Sequence, residues 1–110
     1  MSWKVTFYSV ELEDEILKLS AGFVARFLRY AERMEIYGPD LGMPHTRAMG
    51  EGLFELRLKA GEGIARVFYC TLVGCRIVML QFTKKSEKTP SREWDIARKR
   101  MKETKDAEKS

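Results

Sequence analysis

Leu53-Phe54-Glu55-Leu56-Arg57-Leu58, then Ile64-Ala65-Arg66-Val67-Phe68-Tyr69-Cys70-Thr71, then Arg76-Ile77-Val78-Met79-Leu80-Gln81-Phe82-Thr83: this stretch decides the fold. The three runs are rich in branched and aromatic residues and are separated by Gly61-Glu62-Gly63 and by a turn at Val73-Gly74. Short glycine turns between such runs predict an antiparallel meander. Successive side chains on a strand point to opposite faces. Leu56 and Leu58 therefore point to the core, and Glu55, Arg57 and Lys59 share the other face. Arg66 shares its face with Phe68, and Lys84 shares one with Phe82, so rings accompany the cations. Such interleaving suits a nucleotide, because the cation takes the phosphate and a ring can stack on the base.

Upstream, Trp3-Lys4-Val5-Thr6-Phe7-Tyr8 alternates and predicts a first strand. From Leu12 the apolar residues Ile16, Leu19, Phe23, Phe27, Tyr30, Met34 and Tyr37 recur at helical spacing. One helix of that length would overrun so small a core, and Ser20-Ala21-Gly22 offers a break with Ser20 as cap. Two helices in a hairpin follow. Gly38-Pro39-Asp40-Leu41-Gly42 ends the second, and a loop carrying Pro44, His45 and Gly50 leads into the meander.

Downstream, Phe82-Thr83-Lys84-Lys85-Ser86-Glu87-Lys88-Thr89-Pro90 ends a strand in a knot of lysines and starts a helix at Pro90, with Thr89 as cap. Trp94, Ala97 and Met101 form that helix's buried face. The expected architecture is an α+β layer pair in one domain over residues 1–105, with 106–110 a frayed tail.

With 110 residues, 45% hydrophobic and 33% charged, the chain suits a single globular domain. Its apolar runs fall far short of the roughly 20 residues that cross a bilayer, and no signal architecture opens it, so a cytoplasmic location is expected. Cys70 and Cys75 flank a turn where a cross-strand disulfide is conceivable, but a lone pair without a secretion signal reads first as two thiols. Zinc would need four ligands, and the one other soft donor is His45. Residues 1–40 hold 5 Lys/Arg against 7 Asp/Glu, whereas residues 41–110 hold 15 against 9. The basic half is the half that meets a polyanion, which for a cytoplasmic chain means nucleic acid before membrane.

The runs Leu53 to Arg57, Ala65 to Tyr69 and Phe82 to Pro90, the Gly38-to-Gly42 loop and the Glu93-to-Arg100 helix together resemble the RelE/ParE toxin superfamily, and within it the phage-derived HigB-like branch. The resemblance covers nearly the whole chain. It implies a RelE-like α+β fold: an antiparallel sheet with an N-terminal helical hairpin and a C-terminal helix. It also implies the toxin of a type II toxin–antitoxin pair, a ribosome-dependent mRNA endonuclease that cuts in the A site without metal or cofactor. Its partners would be the ribosome, mRNA and a small antitoxin with a helix-turn-helix. ParE-like members instead bind DNA gyrase without catalysis, which is the alternative function.

In the implied reaction the ribose 2′-OH attacks the adjacent phosphorus, leaving a 2′,3′-cyclic phosphate and a 5′-OH. Side chains must deprotonate the hydroxyl, stabilise the phosphorane and protonate the leaving oxygen. A single histidine excludes a paired-histidine mechanism. By resemblance, Arg66 stabilises the transition state, Arg57 is a second phosphate clamp, and Lys84 and Lys85 carry proton transfer and leaving-group stabilisation. Lys59, Phe82, Lys88 and His45 are the further RNA contacts. RelE-like enzymes often keep a tyrosine near the C-terminus, and none follows Tyr69 here. Read without the family, Arg57 and Arg66 would pair with Glu55 or Glu62, and Lys84 and Lys85 would keep an edge strand soluble.

Overall fold

A computed structural model describes residues 2–84 and 91–109. In chain order it contains β1 (Lys4–Phe7), α1 (Val10–Leu17), α2 (Ala21–Tyr37), β2 (Thr46–Gly50), β3 (Leu53–Ala60), β4 (Gly63–Leu72), β5 (Arg76–Lys84) and α3 (Ser91–Glu108). The strands form one sheet in the order β1-β5-β4-β3-β2. From β2 to β5 it is the expected antiparallel meander, while β1 joins β5 in parallel, Lys4 opposite Arg76. The expected Thr89 cap and the Pro90 start of the last helix lie outside the described residues.

Helices cover both faces of the sheet. Leu12 and Ile16 of α1 and Phe23, Phe27 and Met34 of α2 bury against Leu56, Leu58, Ala65, Val67, Tyr69, Ile77 and Met79. On the opposite face Leu53, Phe68, Cys70, Val78 and Leu80 bury against Ala97 and Met101 of α3. The expected layer pair is thus three layers. The face that alternation had assigned to solvent at β3 and β4 is half covered, because α3 roofs one end of it.

A bulge in β5 fixes which side chains reach which face. Tyr69 pairs with Met79 and Phe68 with Gln81, so β5 carries an extra residue at Leu80. An extra residue reverses the alternation beyond it. Without it, Phe82 and Lys84 would follow Val78 and Leu80 onto the α3 face. With it, Phe82 packs on the α1/α2 core and Thr83 takes the α3 face.

The helix ends follow local chemistry. The Ser9 hydroxyl accepts from Leu12 N at 3.1 Å, with Glu11 and Glu13 in the first turn of α1. Ser20 occupies the N-cap of α2 but makes no capping bond there; it donates to Glu62 Oε2 at 2.5 Å instead. Glu62, from the β3–β4 turn, also accepts from the Gly22 backbone, so a carboxylate distant in sequence caps the helix. At the other end Gly38 adopts φ +100° and lies against the Trp3 indole, where any Cβ would crowd. Glu35 accepts from Val5 N through its carboxylate and from Trp3 N through its carbonyl, tying α2 to the outer edge of β1. The tail expected to fray from residue 106 continues as helix to Glu108, which pairs with Arg76.

Candidate functional site

The end of the sheet left bare by α3 carries a row of polar side chains. Arg57 of β3 lies directly opposite Arg66 of β4, and Arg66 opposite Thr83 of β5. Directly paired residues share a face. The next row towards α3 is Glu55, Phe68 and Gln81. Trp94 meets Phe68 edge-on at 6.3 Å, so Phe68 is roofed and offers no stacking face to a base.

Arg66 is 5% exposed and Glu55 3% exposed. Nη1 of Arg66 donates to Glu55 Oε1 at 2.9 Å, and Arg47 Nη2 approaches the same oxygen at 3.5 Å. A buried guanidinium needs such a partner, because desolvation of an unpaired charge costs several kcal/mol. Pairing with Glu55, the alternative that the sequence offers to phosphate contact, is therefore present at Arg66. Arg57 differs. It is half-buried and takes part in no ion pair among the described residues; an enclosed Nε with no acceptor there is a feature it shares with Arg66. Two cations directly opposite repel. Glu55 offsets the charge of Arg66, while no carboxylate among the described residues pairs with Arg57.

The register separates Lys84 from this row. It pairs with Ala65, a residue of the α1/α2 core, so its exposed side chain leaves the sheet from the opposite face. Phe82 is half-buried in that same core and is not a free stacking surface. Both placements depart from the sequence reading because of the β5 bulge. Lys85 and Lys88 lie outside the described residues. Lys59 is exposed on β3, next to Arg57 on its face.

His45 is brought to Arg57 by a loop built around one buried hydroxyl. Oγ1 of Thr46 accepts from Leu41 N and Gly42 N, each at 2.9 Å, and donates to Asp40 Oδ1 at 3.2 Å. Tyr69 donates its hydroxyl to Pro39 O at 2.5 Å, and burial pushes its pKa well above the ordinary value, so its proton stays in place. The His45 carbonyl accepts from Arg57 N at 2.8 Å, and the imidazole rests 4.9 Å from the Tyr30 ring at 38°.

Beside these rings opens a cleft of about 460 Å³, lined by Arg26 and Tyr30 of α2, Pro44, His45, Arg57, Lys59, Ala60 and Gly61. Of the predicted residues, Arg57, Lys59 and His45 therefore meet, Arg66 stands behind Arg57, and Lys84 is apart. Arg26 and Tyr30 belong to the site but were not assigned to it from sequence. Their spacing of four places them on one side of α2, yet Tyr30 also fits the core stripe and gives no separate signal.

Cys70 is a buried thiol, and burial raises its pKa to about 11. Among the described residues no helix is long and apolar enough to cross a membrane.

No curated protein matches this sequence. Among solved structures, the E. coli toxin RelE, in a double arginine-to-alanine mutant in the free state, superposes with a TM-score of 0.68 at 13% identity. The match covers 91% of this chain and 98% of that one, which establishes the RelE fold. The model of the phage-derived Gp49-like proteins matches residues 14–102, most of the chain and every residue of the cationic site. Fold and sequence agree: the chain belongs to the phage-derived Gp49-like family, a family of RelE-like toxins.

Proposed function

We propose that the protein is the toxin of a type II toxin–antitoxin pair and an mRNA endonuclease that works in the ribosomal A site. The observation that carries this reading is the Arg57–Arg66 pair at the uncovered end of the sheet. One guanidinium is compensated from within by Glu55, and the other takes part in no ion pair among the described residues. A surface whose task is to bind protein has no need to oppose two arginines, whereas a phosphorane gaining charge does.

In this reading Arg57 contacts the phosphate, and Arg66, held rigid by Glu55, adds positive potential behind it without having to reorganise. Proton transfer to and from the ribose 2′-OH and the 5′ oxygen is assigned to Lys84, at the same end of the sheet, and to Lys85. The buried hydroxyl of Tyr69 is not available for it. Lys84 starts from the far face, so its four-carbon stem must round the sheet margin once mRNA is in place. The ribosome supplies the alignment of mRNA that so small a chain cannot. The expected protein partner is a helix-turn-helix antitoxin that neutralises the toxin by covering the cationic surface or by adding bulk.

Primer extension on a defined mRNA in a purified translation system tests this directly. Cuts inside A-site codons that need ribosomes, and that disappear with Arg57→Ala, are expected. Intact mRNA alongside growth arrest in cells would move the target to a protein such as gyrase.

A further inference from the structure

The cleft between α2 and β3 owes its existence to the shortness of β2. That strand pairs with β3 from Leu53 to Leu56 only, and after the bond from Arg57 N to the His45 carbonyl it leaves the edge of β3. Among the described residues, none that lines the vacated margin carries a carboxylate. Three cations line it, from two elements far apart in sequence: Arg26 on α2, and Arg57 and Lys59 on β3. Convergence of like charges on one hollow costs folding energy unless a counter-charge occupies it. The enclosed Nε of Arg57 points to the same conclusion, since buried donors in native proteins nearly always find an acceptor.

Charge alone would suit any anion. The Tyr30 and His45 rings narrow the choice, because they put a half-buried aromatic surface beside the cations. A cation for a phosphate next to rings for a base is the pairing by which single-stranded RNA is held. The volume, about 460 Å³, suits one nucleotide and is too small for a duplex.

We propose that the cleft is a single-nucleotide subsite, with a phosphate on Arg57 between Arg26 and Lys59, and the base against Tyr30 and His45. Its biological ligand, a nucleotide of the mRNA next to the cleaved bond, rests on the endonuclease reading. Arg57 would then be shared, facing the scissile phosphate on one side and the subsite on the other.

Because His45 is the single histidine of the chain, its imidazole Cε1 proton gives one readable NMR signal. Titrating the full-length protein with adenosine 3′,5′-bisphosphate should shift that signal saturably, while adenosine and inorganic phosphate should each bind about tenfold more weakly. Arg26→Ala, an exposed position on α2, should weaken binding several-fold with an unchanged spectrum elsewhere, and Tyr30→Leu about tenfold. A bisphosphate that binds without moving the His45 signal would overturn the subsite. So would inorganic phosphate binding as tightly as the nucleotide, or a hexaglutamate peptide binding more tightly. No ribosome is involved, so the two readings fail separately. A shifted His45 signal with uncut mRNA leaves the subsite standing and removes the endonuclease, and cleavage indifferent to Arg26→Ala and Tyr30→Leu does the reverse.

Discussion

Removing Arg66 should unfold the protein before it says anything about catalysis. Both side chains of the Arg66–Glu55 pair are buried, and they lie 2.9 Å apart. Breaking one half of such a pair leaves the other charge desolvated, at a cost of about 3–5 kcal/mol. Arg47, half-exposed and 3.5 Å from the same carboxylate oxygen, softens this for Glu55, so about 3 kcal/mol is expected for Arg66→Met. At about 4 °C per kcal/mol for a chain of this size, that lowers Tm by roughly 10–15 °C. Glu55→Leu takes a buried partner from Arg66 and should cost a comparable amount. The double variant removes both charges and keeps the volume apolar, so it should be no less stable than either single one. Urea unfolding followed by circular dichroism, with m unchanged, measures all three. If the two single costs simply add, or if Arg66→Met costs under about 1 kcal/mol, the pair is not the strut described here.

Arg57→Ala is the cleaner test of chemistry: cleavage should fall about a hundredfold or more while unfolding free energy stays within about 0.5 kcal/mol, and an equal loss of stability would make Arg57 structural. The Cys70 thiol, raised to about 11 by burial, should resist iodoacetamide at pH 8 until the protein unfolds; mass spectrometry showing it labelled in the native state would contradict its burial. The Glu62 carboxyl titrates below its ordinary value of 4.5, first because Ser20 donates to it and then because backbone N–H groups do. Its stabilisation is therefore complete above the ordinary value and lost as pH falls through the lowered one, so the stability gap to Glu62→Gln should be wider at pH 7 than at pH 3. A gap that does not change with pH would remove the clamp. Gly22→Ala places a Cβ 2.5 Å from a Glu62 oxygen, the far end of a flexible side chain that can swing aside, so urea unfolding should show the gain in helix propensity offsetting the lost cap, with little net change in stability.

The glycine turns and apolar runs that announce β3, β4 and β5 are local signals, so the meander was legible, as was the helix break at Ser20. β2 was not. Thr46-Arg47-Ala48-Met49-Gly50 has neither alternation nor a run of branched residues, and it exists as a strand because the Thr46 hydroxyl organises the loop before it and β3 offers an edge. The bulge at Leu80 was equally silent, and one residue was enough to send Lys84 and Phe82 to the other face. Arg57 and Arg66 were visible as strand cations, but that Glu55 claims one and not the other depends on register. Glu62 could not be read as the cap of α2 from sequence, since 40 residues separate it from Gly22.

The parallel pairing of β1 with β5 has a temporal side. Lys4 meets Arg76, 72 residues later in the chain, whereas every other strand pair closes through a short connection. Contacts so distant in sequence carry a loop-closure cost that local hairpins escape, and they form late. During synthesis the first strand leaves the ribosome long before its partner exists. Until β5 emerges, the aromatic and branched side chains of β1 and the inner faces of α1 and α2 have no completed sheet to cover. The full row Arg57, Arg66 and Thr83 needs β3, β4 and β5 side by side, so it too is completed only once β5 has emerged. It is in that interval, with apolar surface still open, that the nascent chain is most exposed to proteolysis and aggregation.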